Sequence, residues 1–277
     1  VTTHRTSVLP GFHLSLGLTL LWLGPIVLLP LFTLLLKAGT LGPGPFWDAV
    51  TAPRVLAATR LSLGASFAAA ATNLLFGTLL AWALVRYEFP GRRTLDALVD
   101  LPFALPTAVS GLALATLWSE TGWLGGLVAP LGLKVAYARA GIVVALVMIG
   151  LPFVVRTVQP ALATLGPELE EAAATLGATR TQTLLRVVLP TLAPSLVTGF
   201  TLAFARAVGE YGSVVFIAGN VPMQTEIAPL LIIAELEQYD YGGAAAVATL
   251  MLATSLAALL AINGVEAWRR RVWGEAG

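Results

Sequence analysis

The chain has 277 residues, 57% of them hydrophobic and 11% charged, with a mean hydropathy of +0.84 and a formal net charge of +1. A soluble domain carries about 25% charged residues, so this composition excludes a water-soluble globular protein, and so small a net charge gives no footing for nucleic-acid binding. There is no cysteine, which removes disulfides, thiolate metal sites and cysteine nucleophiles, and the two histidines, His4 and His13, read as surface residues too few for a metal site.

In chain order, residues 14–36 form an apolar run of 23 residues, about 34 Å long as a helix and enough to cross a bilayer. The run exceeds a signal peptide's apolar core, and no small-x-small cleavage site follows before Lys37, so it reads as an uncleaved anchor kinked at Gly24-Pro25 and Pro30. Residues 38–58, with Gly42-Pro43-Gly44-Pro45 and Pro53, have the turn chemistry of an ordered connection outside the membrane. A second span is expected over 59–85. A third, over 95–118, is irregular: Asp96 and Asp100 lie near its start, and Pro102 and Pro106 each remove a backbone donor. Such breaks are tolerated at membrane depth where protein or a water-lined cavity satisfies the freed groups. That stretch therefore reads either as a wall of a pathway or as a simply kinked helix.

The segment 120–139 is Gly-rich, with a short interfacial helix expected around 123–131, and a fourth span over 140–161 contains Pro152 and Pro160. A fifth span is expected over 191–218. Residues 227–234 are apolar but too short to cross, so they read as a re-entrant or interfacial piece. A sixth span over 244–267 ends in Trp268-Arg269-Arg270-Arg271. The expectation is an all-α protein of six transmembrane helices. Its layout is an N-terminal segment 1–13, a first helix and loop 14–58, a membrane core 59–267 and a tail 268–277.

Six spans put both termini on one side. On that side fall ten cations, Arg5, Arg86, Arg92, Arg93, Arg156, Arg180, Arg186, Arg269, Arg270 and Arg271; the other side holds five, Lys37, Arg54, Arg60, Lys134 and Arg139. The positive-inside rule makes the side with the termini cytoplasmic. Arg206 lies within the fifth span, with Glu210 four residues on. Isolated charges there are costly, but i and i+4 are neighbours on a helix and can neutralise each other. The pair reads either as part of an anion pathway or as a structural ion pair locking the span to its neighbours.

Between the fourth and fifth spans, residues 164–190 carry Glu168, Glu170, Glu171, Arg180 and Arg186, a density of charge that belongs in water. Pro167 followed by acids predicts a helix start, since free N–H groups and the helix dipole favour negative charge there. Gly177 interrupts that helix, a Leu-rich face resumes it, and Leu189-Pro190 is expected to stop one segment and open the next. On the residues alone this is an exposed helix, bend and helix, as in any amphipathic hairpin.

Glu171-Ala172-Ala173, three residues, Gly177, nine residues, then Val187-x-Leu189-Pro190 resembles the EAA loop of binding-protein-dependent ABC importer permeases. The resemblance implies the type I importer architecture, with Glu171, Ala172, Ala173, Gly177, Leu189 and Pro190 in the loop that docks on a cytoplasmic ATPase. The stretch from Arg206 to Ser213 with Ala218-Gly219-Asn220 is similar to the oxyanion branch of those importers, which carries sulfate, thiosulfate, molybdate or tungstate. Within it, Leu98 to Thr107, Gly150 to Pro160 and Leu236 to Tyr241 are most similar to the T-type permeases of sulfate/thiosulfate systems, and the similarity runs from about Leu61 to the sixth span.

What this implies is a multi-pass protein of the bacterial inner membrane, surrounded by lipid. It would pair with a second, different permease, two copies of an ATP-binding subunit and a periplasmic sulfate- or thiosulfate-binding protein. Arg206, Glu210, Pro102 and Pro106 are the candidate pathway residues. No cofactor is expected on this chain; ATP would be used by the partner ATPase, since neither Lys37 nor Lys134 follows a glycine as a Walker A lysine must. A molybdate or tungstate permease is the nearest alternative, and a gradient-driven anion carrier a more distant one. A membrane-embedded enzyme would need a cluster of catalytic groups, and no HExxH, paired histidine or nucleophile motif is present.

Overall fold

The computed structural model describes residues 11–166 and 168–274. His4, Arg5 and the helix start expected at Pro167 lie outside the described residues, as do the side chains of His13 and of the basic run 268–271. No strand occurs among the described residues. Five of their helices are long and apolar enough to cross a membrane: Leu14–Gly39, Pro53–Arg86, Arg139–Thr164, Arg180–Val208 and Tyr241–Gly264.

The first of these is α1 (Phe12–Leu23) and α2 (Leu29–Gly39), joined by a π turn over Gly24–Leu28. Both expected kink prolines sit at that turn, Pro25 inside it and Pro30 just after it. A wider turn relieves the clash between a proline ring and the carbonyl four residues back. The connection expected over 38–58 contains a helix, α3 (Pro43–Thr51), entered through Gly42 in a positive-φ conformation. The second span, α4 (Pro53–Arg86), begins six residues earlier than expected because Pro53 supplies a pre-set φ at its first position.

The stretch 95–118 is not one helix. It is α5 (Arg92–Val99), α6 (Leu101–Ala104) and α7 (Thr107–Trp118), so the expected third span is broken twice. Leu105, just before Pro106, is extended at φ −88° and ψ 135°, as a residue preceding proline prefers. After α8 (Trp123–Val128), which with a 3₁₀ turn to Leu131 matches the expected short helix, comes α9 (Arg139–Thr164), unbroken despite Pro152 and Pro160.

The remaining elements are α10 (Glu168–Thr175), α11 (Arg180–Thr183), a second π turn over Leu184–Val188, α12 (Leu189–Val208), α13 (Val214–Ile217), α14 (Ala228–Glu237) and α15 (Tyr241–Gly274). Two expectations change here. Leu189-Pro190 does not stop a helix, because the π turn carries the chain through it into α12. The fifth span ends at Val208 rather than 218, and Gly209 closes it.

The core is the packing of α4, α9 and α12. Their contact faces are made of small residues at helical spacing, Ala58, Ser62, Ala69, Asn73, Gly77 and Ala81 on α4 among them, which lets backbones approach closely. A Cβ added at Gly77 would lie 3.1 Å from Val154, and one at Gly150 would lie 2.5 Å from Nδ2 of Asn73. Asn73 is fully buried there, and neither polar atom of its amide has a partner among the described residues. The helices α4 and α9 run in the same direction: Arg86, ending α4, meets Leu165 just past α9, while Arg60 and Arg139 share a pocket near their starts. The chain between them must therefore return to its starting end, and the broken stretch lies on that return.

Candidate functional site

The loop between α9 and α12 is built from local signals. Glu168, Glu170 and Glu171 occupy the first turn of α10, where they face unpaired N–H groups. The helix closes in a Schellman motif: Gly177 adopts φ +83°, its N–H donates to the Ala174 carbonyl at 3.0 Å, and the Ala178 N–H donates to Ala173 at 3.0 Å. Two residues on, Thr179 caps α11 in a reciprocal capping box, accepting from the Gln182 N–H at 3.3 Å while its own N–H donates to Gln182 Oε1 at 2.8 Å. The Thr-x-x-Gln signature was in the sequence, and its bearing on the bend was missed there.

The loop presents a defined face. Glu171 and Ala172 are exposed, whereas Ala173 is buried and packs inward. Leu169, Ala172 and Leu176, spaced by three and four residues, are all exposed, and Leu176 at 88%. A smooth helix ending in a projecting leucine suits a groove on another protein. Leu189 is half-buried and Pro190 exposed, both inside the continuous helix rather than at the loop's edge.

Arg86, at the end of α4, holds the loop to the bundle. Its Nη2 donates to Glu170 Oε1 at 2.6 Å and to the Leu165 carbonyl at 3.0 Å, and the guanidinium lies 5.4 Å over the Trp82 ring. One cation thus covers the end of α9 and the start of α10 together. A cavity of about 400 Å³ lies beneath, lined by residues that include Trp82, Glu170, Ala174 and Leu184. Glu170, not the motif's Glu171, makes the ion pair.

Two further polar clusters lie beside or among the candidate pathway residues. Arg156 on α9 donates to both oxygens of Asp100, at 2.8 and 2.6 Å, to Asp96 Oδ1 and its carbonyl at 2.6 and 2.8 Å, and to Gln159 Oε1 at 2.6 Å. The Gln159 amide donates in turn to Asp96 at 3.0 Å. This cluster pins the first break of the 95–118 stretch to α9; Pro102 opens α6 and Pro106 stands just before α7. Phe103 packs edge-on against Phe153, centroids 5.3 Å apart.

Arg206 and Glu210 do pair, Nη1 to Oε2 at 2.6 Å, at the end of α12. Glu210 is 4% exposed, and its other oxygen accepts from the N–H and hydroxyl of Ser213 at 3.0 and 3.1 Å. Gly212 and Gly111 permit the contact that follows: Cβ atoms there would meet Thr107 Oγ1 and the Ser213 carbonyl at 2.2 Å. The string from Arg206 to Ser213 therefore fastens α12 and α13 to α7.

The family model "binding-protein-dependent transport system inner membrane component" matches residues 73–272, well over half of the chain. The chain belongs to that family. It is 52% identical over 268 residues to the sulfate transport system permease protein CysT of Salmonella typhimurium, covering 96% of this chain and 97% of the relative. Identity to the Escherichia coli protein of the same name is 51% over the same shares, and to that of Synechocystis 50% over 97% and 94%. A bacterial ABC transporter involved in import of the acidic polysaccharide alginate superposes with a TM-score of 0.73 at 18% identity, over 95% of this chain and 96% of that one. This likeness shows the fold, that of an ABC importer permease. The protein is a multi-pass inner-membrane permease subunit.

Proposed function

We propose that this chain is one of two different permease subunits of an ATP-driven importer for sulfate or thiosulfate, working with two ATPase subunits and a periplasmic binding protein. The observation that carries the reading is the 52% identity with a sulfate transport permease across nearly the whole length of both chains. The loop over residues 164–190 supplies the mechanical part. Its exposed face at Leu169, Ala172 and Leu176 would dock on the ATPase. Arg86 would transmit the movement, because it joins α10 to the ends of both α4 and α9.

In this reading the loop end is cytoplasmic and the stretch 95–118 makes the sixth crossing. The pathway runs beside its breaks at Pro102 and Pro106, since non-helical backbone at membrane depth needs protein or water around it. Arg206 borders that pathway, while Glu210 spends both carboxylate oxygens on local bonds and acts as a lock.

The test is uptake of labelled sulfate into proteoliposomes holding this chain with its partner permease, ATPase and binding protein. Uptake that requires ATP and all four components is the expected result. Uptake that persists without the ATPase would replace the reading with a gradient-driven carrier; molybdate uptake in place of sulfate would move the protein to the neighbouring branch.

A further inference from the structure

The end of the bundle opposite the coupling loop carries a basic pocket. Twenty-six residues of α4 separate Arg60 from Arg86, about 39 Å along a helix, so this pocket lies a bilayer's width from the loop. Its volume is about 500 Å³, and its wall is formed by Ala57, Arg60, Gly64 and Ala68 from α4 with Arg139 from α9 and Met223 from the loop before α14. No carboxylate lines it.

Of the other cations at this end, Lys37 does not line the pocket, and Arg54 and Lys134 are engaged. Arg54 binds both oxygens of Glu226 at 2.8 and 2.7 Å, and Lys134 lies 3.7 Å from Glu120. Arg60 is exposed and makes no hydrogen bond or ion pair among the described residues. Arg139 gives only its Nε, to the Gln224 carbonyl at 2.8 Å, which fixes the side chain and leaves its two terminal nitrogens for a ligand. Small residues beside Arg60 keep the space open, since a Cβ at Gly64 would meet nothing within 4 Å.

We infer that Arg60 and Arg139 form a site for a doubly charged tetrahedral oxyanion at the mouth of the permease. Two guanidinium groups, one unengaged and one with both terminal nitrogens unengaged, match such an anion in charge and offer it several N–H donors. An uncompensated pair of cations in a shared pocket is otherwise unfavourable. The inference rests on the import reading above for the identity of the anion. A phospholipid phosphate is the other source of the same chemistry, and the experiment separates the two.

The full four-component importer is reconstituted in vesicles of phosphatidylcholine alone and of phosphatidylcholine with phosphatidylglycerol. Initial sulfate uptake is then measured against the concentration of loaded binding protein. Losing a hydrogen bond to a charged group costs about tenfold or more. Arg60→Gln is therefore expected to lower the maximal rate about tenfold in both vesicle types, with the half-saturating concentration of binding protein unchanged within twofold and Arg60→Lys recovering at least half of the rate. A maximal rate for Arg60→Gln within twofold of the wild type overturns the site. A defect seen only with phosphatidylglycerol assigns the pocket to lipid and overturns it as well. No uptake by the wild type removes the import reading, and the site with it.

Discussion

Two stretches of this chain carry the same pattern, Leu-Pro followed four residues later by a second proline: Leu101-Pro102 with Pro106, and Leu189-Pro190 with Pro194. The first is broken into α5, α6 and α7, whereas the second runs helical from Arg180 to Val208. Proline spacing cannot be the cause of the difference. In the second stretch a π turn precedes the proline, and Thr191 and Thr198 hydroxyls donate to the Val187 and Pro194 carbonyls at 2.7 and 2.9 Å. Its polar side chains bond within their own helix. In the first, polar groups just before the proline are held from outside, by Arg156 of another helix. Whether a proline breaks a membrane helix here depends on where the neighbouring polar groups are tied.

Arg156 is the tie that sets the first stretch apart. Arg156→Gln leaves two carboxylates facing each other without their cation, and the cluster is part-exposed, so the expected loss is about 1–3 kcal/mol, measured as thermal unfolding of the reconstituted complex, together with a large drop in uptake. The triple variant with Asp96→Asn and Asp100→Asn should recover part of the stability, because no unpaired charge remains; a triple variant less stable than the single one would refute the anchoring role.

At the far end of α12, Glu210→Ala strips a buried partner from Arg206 and Ser213, with an expected cost of about 1–3 kcal/mol. Adding Arg206→Ala should restore some stability. If that double variant transports normally, Arg206 has no part in the pathway.

Ahead of the second stretch, Gly177→Val forces a branched residue into the left-handed region at a cost of about 1–2 kcal/mol. The loss is local, so the unfolding temperature should move little while ATP-dependent uptake falls sharply. Thr179→Ala removes one side of the capping box and costs about 1 kcal/mol; its expected effect is the smallest, a modest decrease in coupled uptake without loss of assembly.

What could be read from the sequence was local. The apolar run 14–36, the acids of α10 and the turn at Gly177 are signals carried within a few residues, and each is found where the physical chemistry places it. The bonds that organise the site are distant: Arg86 reaches Glu170, Arg156 reaches Asp96 and Asp100, and Arg54 reaches Glu226 across 172 positions. Nothing in a single sequence ties such partners together, since charge alone allows many pairings. The continuity through Pro190 was misread for a different reason. A proline states which donor is missing, but not whether a wider turn will accommodate the loss.

Asn73 lies buried in the seam between the core helices. An amide sealed among α4, α9 and α12 without a partner costs about 1–3 kcal/mol relative to one that is hydrogen-bonded. The seam of small residues that joins α4 to its neighbours therefore carries at Asn73 a polar cost that an apolar side chain of similar size would not.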